Sequence, residues 1–330
     1  MRNPRPAGRM RALAPLAALA VAFTAAACGG SDSGPTAAGG SAAVDQVKVG
    51  IIPIIDVAPL KLGIEKGFFT QEGLEVTTQD AQGGAALVPA VVSGEYQFGY
   101  SNIVSLMVAR SKNLPLKMVA VGARASDDEL DDGSGQMMVK DPAIKTVQDL
   151  VGKTIAINTL AGINEVAVRT TLGKEGVDAS TVKFIEVPIP SMPAALDEGQ
   201  ADAVMVGEPF VTIAARAGAH PLPVSYASMA HDLPFAGWFT TEKFVEDHRD
   251  VVDRFTAGLT RSLEYAEANP AEARAALDGY LELEAGVSDE VTLPGWKPGV
   301  DEEEIGKLAD LAVETGVIAD RQPLSDLLLG

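Results

Sequence analysis

The sequence predicts an α/β protein with two similar lobes, and three observations carry that prediction. Short apolar strand segments alternate with helical segments, the alternation restarts once near residue 135, and the chain after residue 241 is mainly helical. Alternation of this kind favours mostly parallel sheets joined by right-handed crossovers. Two such sets of elements and a helical tail pack most simply as two lobes with a cleft between them.

The first set of elements runs from residue 47 to residue 121. Strands are predicted where β-branched and aromatic residues concentrate, and helices where apolar residues recur with helical spacing. Ser101 or Asn102 is predicted to cap the third helix. The predicted strands cover 47–52, 74–79, 96–100 and 116–121, and the predicted helices cover 60–69, 85–92 and 103–111.

The second set begins at 136 and is followed by the tail. Thr146 and Asp149 have capping-box spacing, and Asn269 precedes a proline at a predicted first helical position. Four acids over 301–304 are predicted to begin a helix over 305–314. Extended segments are predicted over 136–139, 153–158, 182–187, 201–206, 222–226 and 237–240, with helices over 165–174 and 192–198.

The N-terminal segment has the pattern of an export signal. Four arginines among the first eleven residues are followed by an apolar run over 12–23, which is shorter than the ~20 residues that an α-helix needs to cross a bilayer. The chain's single cysteine, Cys28, follows three alanines, which resembles the lipobox of bacterial lipoproteins. Residues 1–27 are therefore predicted to be a lipoprotein signal peptide with lipidation at Cys28. An ordinary signal peptide with an incidental thiol is the alternative.

A tract rich in Gly, Ser and Ala follows, and we expect residues 28–44 to be a flexible linker. No later run reaches 18 apolar residues, so the body is not expected to span a membrane. The predicted location is extracytoplasmic, with the protein lipid-anchored to the cell membrane at the cell surface or in the periplasm.

Charge and composition exclude several classes of protein. The chain has 26 basic and 45 acidic side chains, and removing the four arginines of the signal leaves 22 basic groups and a net charge of −23 on the body. An acidic body without a basic cluster argues against nucleic acid as a partner. A single cysteine excludes a disulfide framework and a Cys-rich metal site.

Motifs for catalysis and metal binding are incomplete. Gly152-Lys153-Thr154 lacks the first glycine of a phosphate loop, and the three histidines lie far apart in the sequence. The acidic segment 127–133 has neither the glycine nor the final glutamate of a calcium loop. We therefore predict no catalytic residue, no metal and no cofactor.

Polar residues do collect at the predicted strand ends that lead into helices. The pairs Gly83-Gly84, Ser101-Asn102 and Asn158-Thr159 each precede a helix. Helix N-termini have free N–H donors and partial positive charge, so three of them facing one cleft would bind a small anion. Ordinary helix capping is the alternative for each pair.

These residues belong to a longer pattern of short segments. The segments are Lys66-Gly67-Phe68-Phe69, Gly94-Glu95-Tyr96-Gln97-Phe98-Gly99, Pro188-Ile189-Pro190-Ser191-Met192-Pro193, Gly199-Gln200-Ala201-Asp202-Ala203, Glu208-Pro209-Phe210 and Leu293-Pro294-Gly295-Trp296. The pattern resembles the nitrate, sulfonate and taurine group of ABC-transporter substrate-binding proteins, which includes the thiamine-pyrimidine binders, and it covers about residues 47–329. The resemblance implies a two-lobed type II periplasmic-binding-protein fold that closes on its ligand in the interlobe cleft.

The resemblance also implies the domain boundaries, the partners and the residues of the cleft. Lobe I would comprise 45–134 and 242–330, and lobe II would comprise 135–241. The partners would be a small-molecule ligand and an ABC permease with its ATPase, with the membrane reached through the lipid at Cys28, and the receptor is expected to be a monomer. The predicted ligand-binding residues are Ile54, Asp56, Gly83, Gly84, Ser101, Asn102, Asn158, Thr159, Ile163, Asn164, Pro190, Glu208, Phe210 and Trp238.

The implied function is a solute receptor that captures a small organic anion or a polar heterocycle, of the sulfonate, taurine or nitrate type, and delivers it to a permease. A ligand sensor for a membrane signalling protein is one alternative. A pyrimidine-synthase-like enzyme on the same fold is another, but that enzyme needs a cysteine-rich motif and the only cysteine here is Cys28. Glu208 is open to two interpretations, as a group that recognises an amine or ring N–H and as a structural residue beside Pro209.

Overall fold

The computed structural model describes residues 44–330, and the predicted signal peptide, Cys28 and almost all of the predicted linker lie outside these residues. Within the described part the strands form two five-stranded sheets. The strands are β1 Asp45–Ile51, β2 Leu74–Asp80, β3 Phe98–Asn102, β4 Leu116–Arg124, β5 Gln136–Val139, β6 Thr154–Ile157, β7 Lys183–Glu186, β8 Ala203–Val206, β9 His220–Ser225 and β10 Pro234–Thr241.

Thirteen α-helices and five short 3₁₀ turns connect and follow these strands in residues 44–330. The helices are α1 Ala58–Glu65, α2 Phe68–Gln71, α3 Gly84–Val92, α4 Ile103–Ser111, α5 Ile163–Lys174, α6 Met192–Asp197, α7 Phe210–Arg216, α8 Glu242–Asp247, α9 Arg249–Ala268, α10 Pro270–Ala275, α11 Val287–Glu290, α12 Glu302–Glu314 and α13 Leu324–Leu327. The 3₁₀ turns are Ile55–Val57, Val147–Leu150, Ala179–Thr181, Ile189–Ser191 and Ala276–Gly279.

The two sheets have related orders. The first runs β2-β1-β3-β10-β4 and the second runs β7-β6-β8-β5-β9. In the first sheet β1 is parallel to β2 and β3, whereas β10 is antiparallel to β3 and β4. In the second, β6 is parallel to β7 and β8, whereas β5 is antiparallel to β8 and β9. The predicted α/β class is confirmed. Both sheets are mixed because each contains one strand that the chain enters from the other half and that is antiparallel to its neighbours, β10 in the first sheet and β5 in the second.

Strand β10 is the point at which the chain comes back to the first sheet. The sequence-based boundary at 241 ends lobe II after this strand, whereas its pairing inserts it between β3 and β4. Taking sheet membership as the criterion, we propose that lobe II comprises 136–225 and that the crossing segments are 125–135 and 226–233. The strand could be predicted from the sequence, but an apolar run does not indicate which strands it pairs with.

The core of the first lobe is centred on aromatic side chains that the tail brings to the sheet. Phe255 of α9 stacks on Phe98 of β3 with ring centroids 3.9 Å apart, and Trp238 of β10 meets its edge at 6.4 Å. All three side chains are fully buried. Burial of a side chain of this size contributes about 1.5–3 kcal/mol, so α9 is an integral part of the lobe and not an appendage.

Several predicted caps are present in residues 44–330. The Asn102 side chain accepts the Ser105 N–H at 2.8 Å and begins α4. The Thr146–Asp149 capping box is present as well, although it opens a single 3₁₀ turn. Asn269 stands at the N-cap position of α10, but its amide donates back to the Tyr265 carbonyl at 2.8 Å. In the described residues, none of the helices is both long enough and apolar enough to cross a membrane.

Candidate functional site

A small buried cavity lies between the two sheets, at the carboxyl ends of their parallel strands. Its volume is about 30 Å³. Strands β1, β3, β6 and β8 all end at it or just before it, which is the edge where open α/β sheets bind ligands. The residues that line it are Ile52, Ile54, Asp56, Tyr100, Asn102, Ser134, Asn158, Ile163, Asn164, Ile189, Met205, Gly207, Tyr226, Phe235 and Ala236.

An open groove of about 250 Å³ adjoins the cavity. Asn158 lines both spaces, so its side chain stands between the buried cavity and the surface. The groove is lined by Gln82, Gly83, Ala85, Ala86, Asn158, Thr159, Glu186, Val187 and Pro188. The cavity alone is too small for an organic molecule, so entry of one requires the lobes to separate or side chains to move.

Asp56 is the charged group of the cavity. It lies in the 3₁₀ turn after β1, and it is only 2% exposed. The Tyr100 hydroxyl donates to its Oδ2 at 3.1 Å, and the Ser134 hydroxyl lies 3.5 Å from its Oδ1. Burial raises the pKa of Asp56 to about 7, and the negative charge of Asp132 adds to that effect while the two hydroxyl donors oppose it.

The turn that holds Asp56 is fixed from two sides. The Ile55 N–H donates to the Glu208 carbonyl at 2.9 Å, which joins the loop after β1 to the loop after β8. The Tyr280 hydroxyl donates to the Ile54 carbonyl at 2.9 Å, which joins the same loop to the tail. The turn that carries the carboxylate is therefore held by contacts from two other parts of the chain.

The opposite wall carries an amide network. Asn164, at the start of α5, donates from Nδ2 to the Asn158 Oδ1 at 3.0 Å and to the Met205 carbonyl at 3.3 Å. Its Oδ1 accepts the Tyr226 hydroxyl at 2.5 Å. Burial raises the pKa of Tyr226 well above its usual value, so this hydroxyl stays protonated and donates. These bonds hold Asn164 in one orientation.

Asp132 is a second buried acid, behind the cavity wall in the crossing segment. It is 1% exposed, and its carboxylate accepts the Ala227 N–H at 2.8 Å and the Ser134 N–H at 3.2 Å. Burial raises its pKa to about 6, and those backbone donors limit the shift. Because Ala227 and Ser134 lie in the two opposite crossing segments, Asp132 ties these segments together.

The structure brings part of the predicted site together. Six of the fourteen predicted residues line the cavity, two more line only the groove, and the other six line neither space. The cavity residues are Ile54, Asp56, Asn102, Asn158, Ile163 and Asn164, the groove residues are Gly83 and Thr159, and the remaining residues are Gly84, Ser101, Pro190, Glu208, Phe210 and Trp238.

Glu208 has the surroundings of a structural residue. Its carboxylate accepts the Thr212 N–H at 3.0 Å, the Thr212 hydroxyl at 2.8 Å and the Thr292 N–H at 3.2 Å. It therefore caps the first turn of α7 and holds the tail against it. Burial raises its pKa, and the donors from Thr212 and Thr292 counter that rise.

The predicted anion cradle of helix N-termini is partly occupied by the protein's own side chains. At α4 the Ser105 N–H is taken by Asn102. Before α5 the Ala161 N–H donates to Glu165 at 2.8 Å and the Leu160 N–H donates to Glu186 at 3.3 Å. Two of the three ends thus have donors directed at internal acceptors, which weakens them as sites for an external anion.

Sequence reasoning missed several residues that line the cavity. Tyr100 lies in β3, one residue before the predicted pair Ser101-Asn102. Because side chains alternate along a strand, Tyr100 lies on the same face as Asn102 and could have been predicted. Ser134, Tyr226 and Phe235 lie in or beside the crossing segments, which have no periodic signal. Their contribution depends on how the two sheets face each other, and that is a tertiary property.

Comparisons with known proteins agree with this architecture. A family model described as NMT1/THI5 like matches residues 54–273. The chain is 24% identical over 213 residues to the taurine-binding periplasmic protein of Escherichia coli, with 64% of each protein covered. It is 26% identical over 221 residues to the formylaminopyrimidine-binding protein of Halalkalibacterium halodurans, with 65% of this chain and 63% of that protein covered. The matches therefore span somewhat less than two thirds of these relatives.

Solved structures show the fold. The ligand-binding component of an ABC-type import system from Staphylococcus aureus superposes with a TM-score of 0.75 at 15% identity, covering 86% of this chain and 96% of that chain. The alkanesulfonate-binding protein of Xanthomonas axonopodis pv. citri superposes with a TM-score of 0.73 at 16% identity, covering 88% and 99%. The predicted two-lobed binding-protein fold is confirmed by this likeness.

Proposed function

The chain belongs to the NMT1/THI5-like family, and we propose from that membership and from the cleft that it is an extracytoplasmic solute-binding receptor of an ABC importer. It captures a small organic anion or a polar heterocycle and delivers it to a permease and its ATPase. The observation that carries this proposal is the polar cavity at the facing strand ends of two lobes. Relatives of the chain are named as binding proteins for taurine, for formylaminopyrimidine and for nitrate and nitrite.

The mechanism is binding with hinge closure and no covalent step. Asp56, Tyr100 and Asn102 reach the cavity from the first sheet, and Asn158, Asn164 and Met205 reach it from the second. A ligand that contacts both sets is held more tightly by the closed form than by the open form. That difference in affinity is the free energy that drives closure.

Binding and compaction test this function together. We expect titration calorimetry with sulfonates, nitrate, aromatic acids and pyrimidines to find at least one ligand, and small-angle scattering to show a smaller radius of gyration when it is bound. Scattering without ligand provides the baseline. If no compound of any of these classes binds and none changes the scattering curve, the receptor function is refuted.

We also propose that the receptor works as a lipid-anchored monomer, held to the cell membrane through Cys28. The support is the single cysteine placed directly after three alanines at the end of an apolar run. Mass spectrometry of the mature protein tests this, since lipidation adds a diacylglyceryl mass at the new N-terminus. Cys28→Ala is expected to release the protein from the membrane fraction. An unmodified Cys28, or a variant that stays membrane-bound, would contradict the anchor.

A further inference from the structure

The cavity of the proposed receptor is lined by one acidic side chain, Asp56, and by no basic side chain. Of the fifteen residues that line it, Asp56 is the only acid, and none is Lys, Arg or His. With a pKa of about 7, Asp56 is partly ionised at neutral pH and mainly ionised at pH 8. The adjoining groove adds one acid, Glu186, and no base. An anionic ligand would therefore enter a buried space that contains a carboxylate and no cationic side chain, which is electrostatically unfavourable.

The hydrogen bonds around Asp56 define what it offers. Tyr100 donates to one carboxylate oxygen and the Ser134 hydroxyl approaches the other. Both oxygens therefore act as acceptors, and each carboxylate oxygen has a second lone pair. The groups that satisfy such lone pairs are N–H donors, and a cationic N–H forms the stronger bond.

The remaining walls fit a compact nitrogen compound. The amide oxygens of Asn102 and Asn158 are engaged within the protein, by the Ser105 N–H and by Asn164. This leaves the NH₂ ends of both amides as the donors for a ligand acceptor. Between these polar groups lie Ile52, Ile54, Ile163, Ile189, Met205 and Phe235, which suit an apolar or flat ring face.

We propose that Asp56, positioned by Tyr100 and Ser134, accepts hydrogen bonds from N–H groups of the ligand, so that this receptor takes a small neutral or cationic nitrogen compound and discriminates against sulfonates and nitrate. The inference rests on the proposed receptor function and selects between its two ligand classes. Asp56 is then the residue that determines specificity, and its position in a turn fixed by Glu208 and Tyr280 makes the acceptor rigid.

The test compares two sets of probes on the full-length chain. The N–H set is 4-aminopyrimidine, imidazole and n-butylamine, and the anion set is ethanesulfonate and nitrate. We expect calorimetry to detect binding of at least one N–H probe and of neither anion. In Asp56→Asn the dissociation constant of the bound N–H probe rises by about 10- to 100-fold, because a charge-assisted buried acceptor is lost. Asp301→Asn, which makes the same exchange at the N-cap of α12, outside the linings of the cavity and the groove, is the matched control and leaves that constant within about threefold.

The outcomes separate the two proposals. If an anion binds and compacts the protein, the receptor function stands and the N–H inference is overturned. The same conclusion follows if an N–H probe binds Asp56→Asn as tightly as it binds the wild type. Absence of binding and compaction with both probe sets overturns the inference and counts against the receptor function. Circular dichroism checks whether Asp56→Asn folds. If it does not, the preference of the wild-type chain for N–H probes or for anions decides the inference.

Discussion

At the scale of single residues, the cleft is characterised by buried acids that form no ion pair within residues 44–330. Asp56 and Asp132 are 2% and 1% exposed, and hydroxyl and backbone N–H groups satisfy them instead of Lys or Arg. Such groups retain protons more strongly in the folded chain than in the unfolded chain. The free energy of unfolding therefore depends on pH over the range in which these acids titrate.

The pH dependence of stability should report on Asp56. Its pKa is about 7 in the folded protein against an ordinary 3.8, so the protonated carboxyl stabilises the fold below pH 4 and this contribution is lost as the pH rises through 7. We expect the free energy of unfolding of the wild type, relative to Asp56→Asn, to fall by about 4 kcal/mol between pH 4 and pH 8. Urea denaturation at several pH values measures it.

Comparison with the variant cancels the titration of groups that do not interact with Asp56. Asp132, with a pKa of about 6, does interact with Asp56, so the measured difference reports the coupled titration of the two acids. Tyr100, Tyr226 and Tyr280 also sense the charge of Asp56, but burial keeps all three protonated over this range. A stability difference that stays constant from pH 4 to pH 8 would contradict the raised pKa of Asp56.

Glu208 should affect stability and leave ligand binding unchanged. In Glu208→Gln the amide nitrogen cannot accept the Thr212 N–H, so one buried hydrogen bond is lost. We expect the free energy of unfolding to fall by about 1 kcal/mol, with the ligand dissociation constant within twofold of wild type. Chemical denaturation and calorimetry measure the two effects. A tenfold weaker affinity in a stably folded variant would instead place Glu208 on the ligand.

At the scale of elements, hydrogen bonds at the ends of helices fix where those helices begin. The N-cap of α12 is the clearest case, since the Asp301 carboxylate accepts the Glu303 N–H at 2.9 Å and the Glu304 N–H at 3.2 Å. Four acids at this helix start were predicted from the sequence, because local caps depend on residues close in the chain.

Removing that cap should destabilise the tail helix. Asp301→Ala loses both cap bonds and is expected to cost about 1 kcal/mol of unfolding free energy. Asp301→Asn is the matched control, because asparagine caps helices nearly as well as aspartate and should stay close to wild type. Thermal or urea denaturation of the three proteins measures the difference. Equal stability of the alanine and asparagine variants would show that the cap contributes nothing.

Some cavity residues could be predicted from the sequence and others could not. Asn102, Asn158 and Asn164 could be predicted for the cavity from their places in the chain. Asn102 ends β3 and caps α4, Asn158 directly follows β6, and Asn164 lies in the first turn of α5. Ser134 and Tyr226 could not, since their place depends on the mutual orientation of two sheets. Phe210 and Trp238 were predicted for the cleft, yet Trp238 packs against Tyr100 with ring centroids 4.8 Å apart, inside the lobe. Composition alone does not separate a core aromatic from a binding aromatic.

At the scale of the whole molecule, the lobes meet through backbones that approach very closely. Gly133 in the first crossing segment accepts the Glu208 N–H at 2.7 Å on its carbonyl. A Cβ atom at this position would lie 2.1 Å from the Thr292 carbonyl oxygen. The crossing segment, the loop after β8 and the tail therefore converge where only glycine fits.

Substitution at this convergence should be costly. Gly133→Ala places a methyl group against the Thr292 backbone and is expected to lower the free energy of unfolding by about 1–3 kcal/mol. Gly173→Ala is the control, since nothing lies within 4 Å of its added Cβ and it sits inside α5. That control should gain about 0.5–1 kcal/mol from helix propensity. Urea denaturation measures both, and a neutral Gly133→Ala would mean that the crossing can relax.

The insertion of β10 between β3 and β4 has a consequence for the order in which the chain becomes folded during synthesis. The first sheet lacks the strand that joins β3 to β4 until residue 241 has been made, whereas the second sheet uses only 136–225, which is contiguous. Contacts between distant parts of a chain form late. We expect pulsed hydrogen exchange during refolding to protect β6 and β8 before β1 and β3.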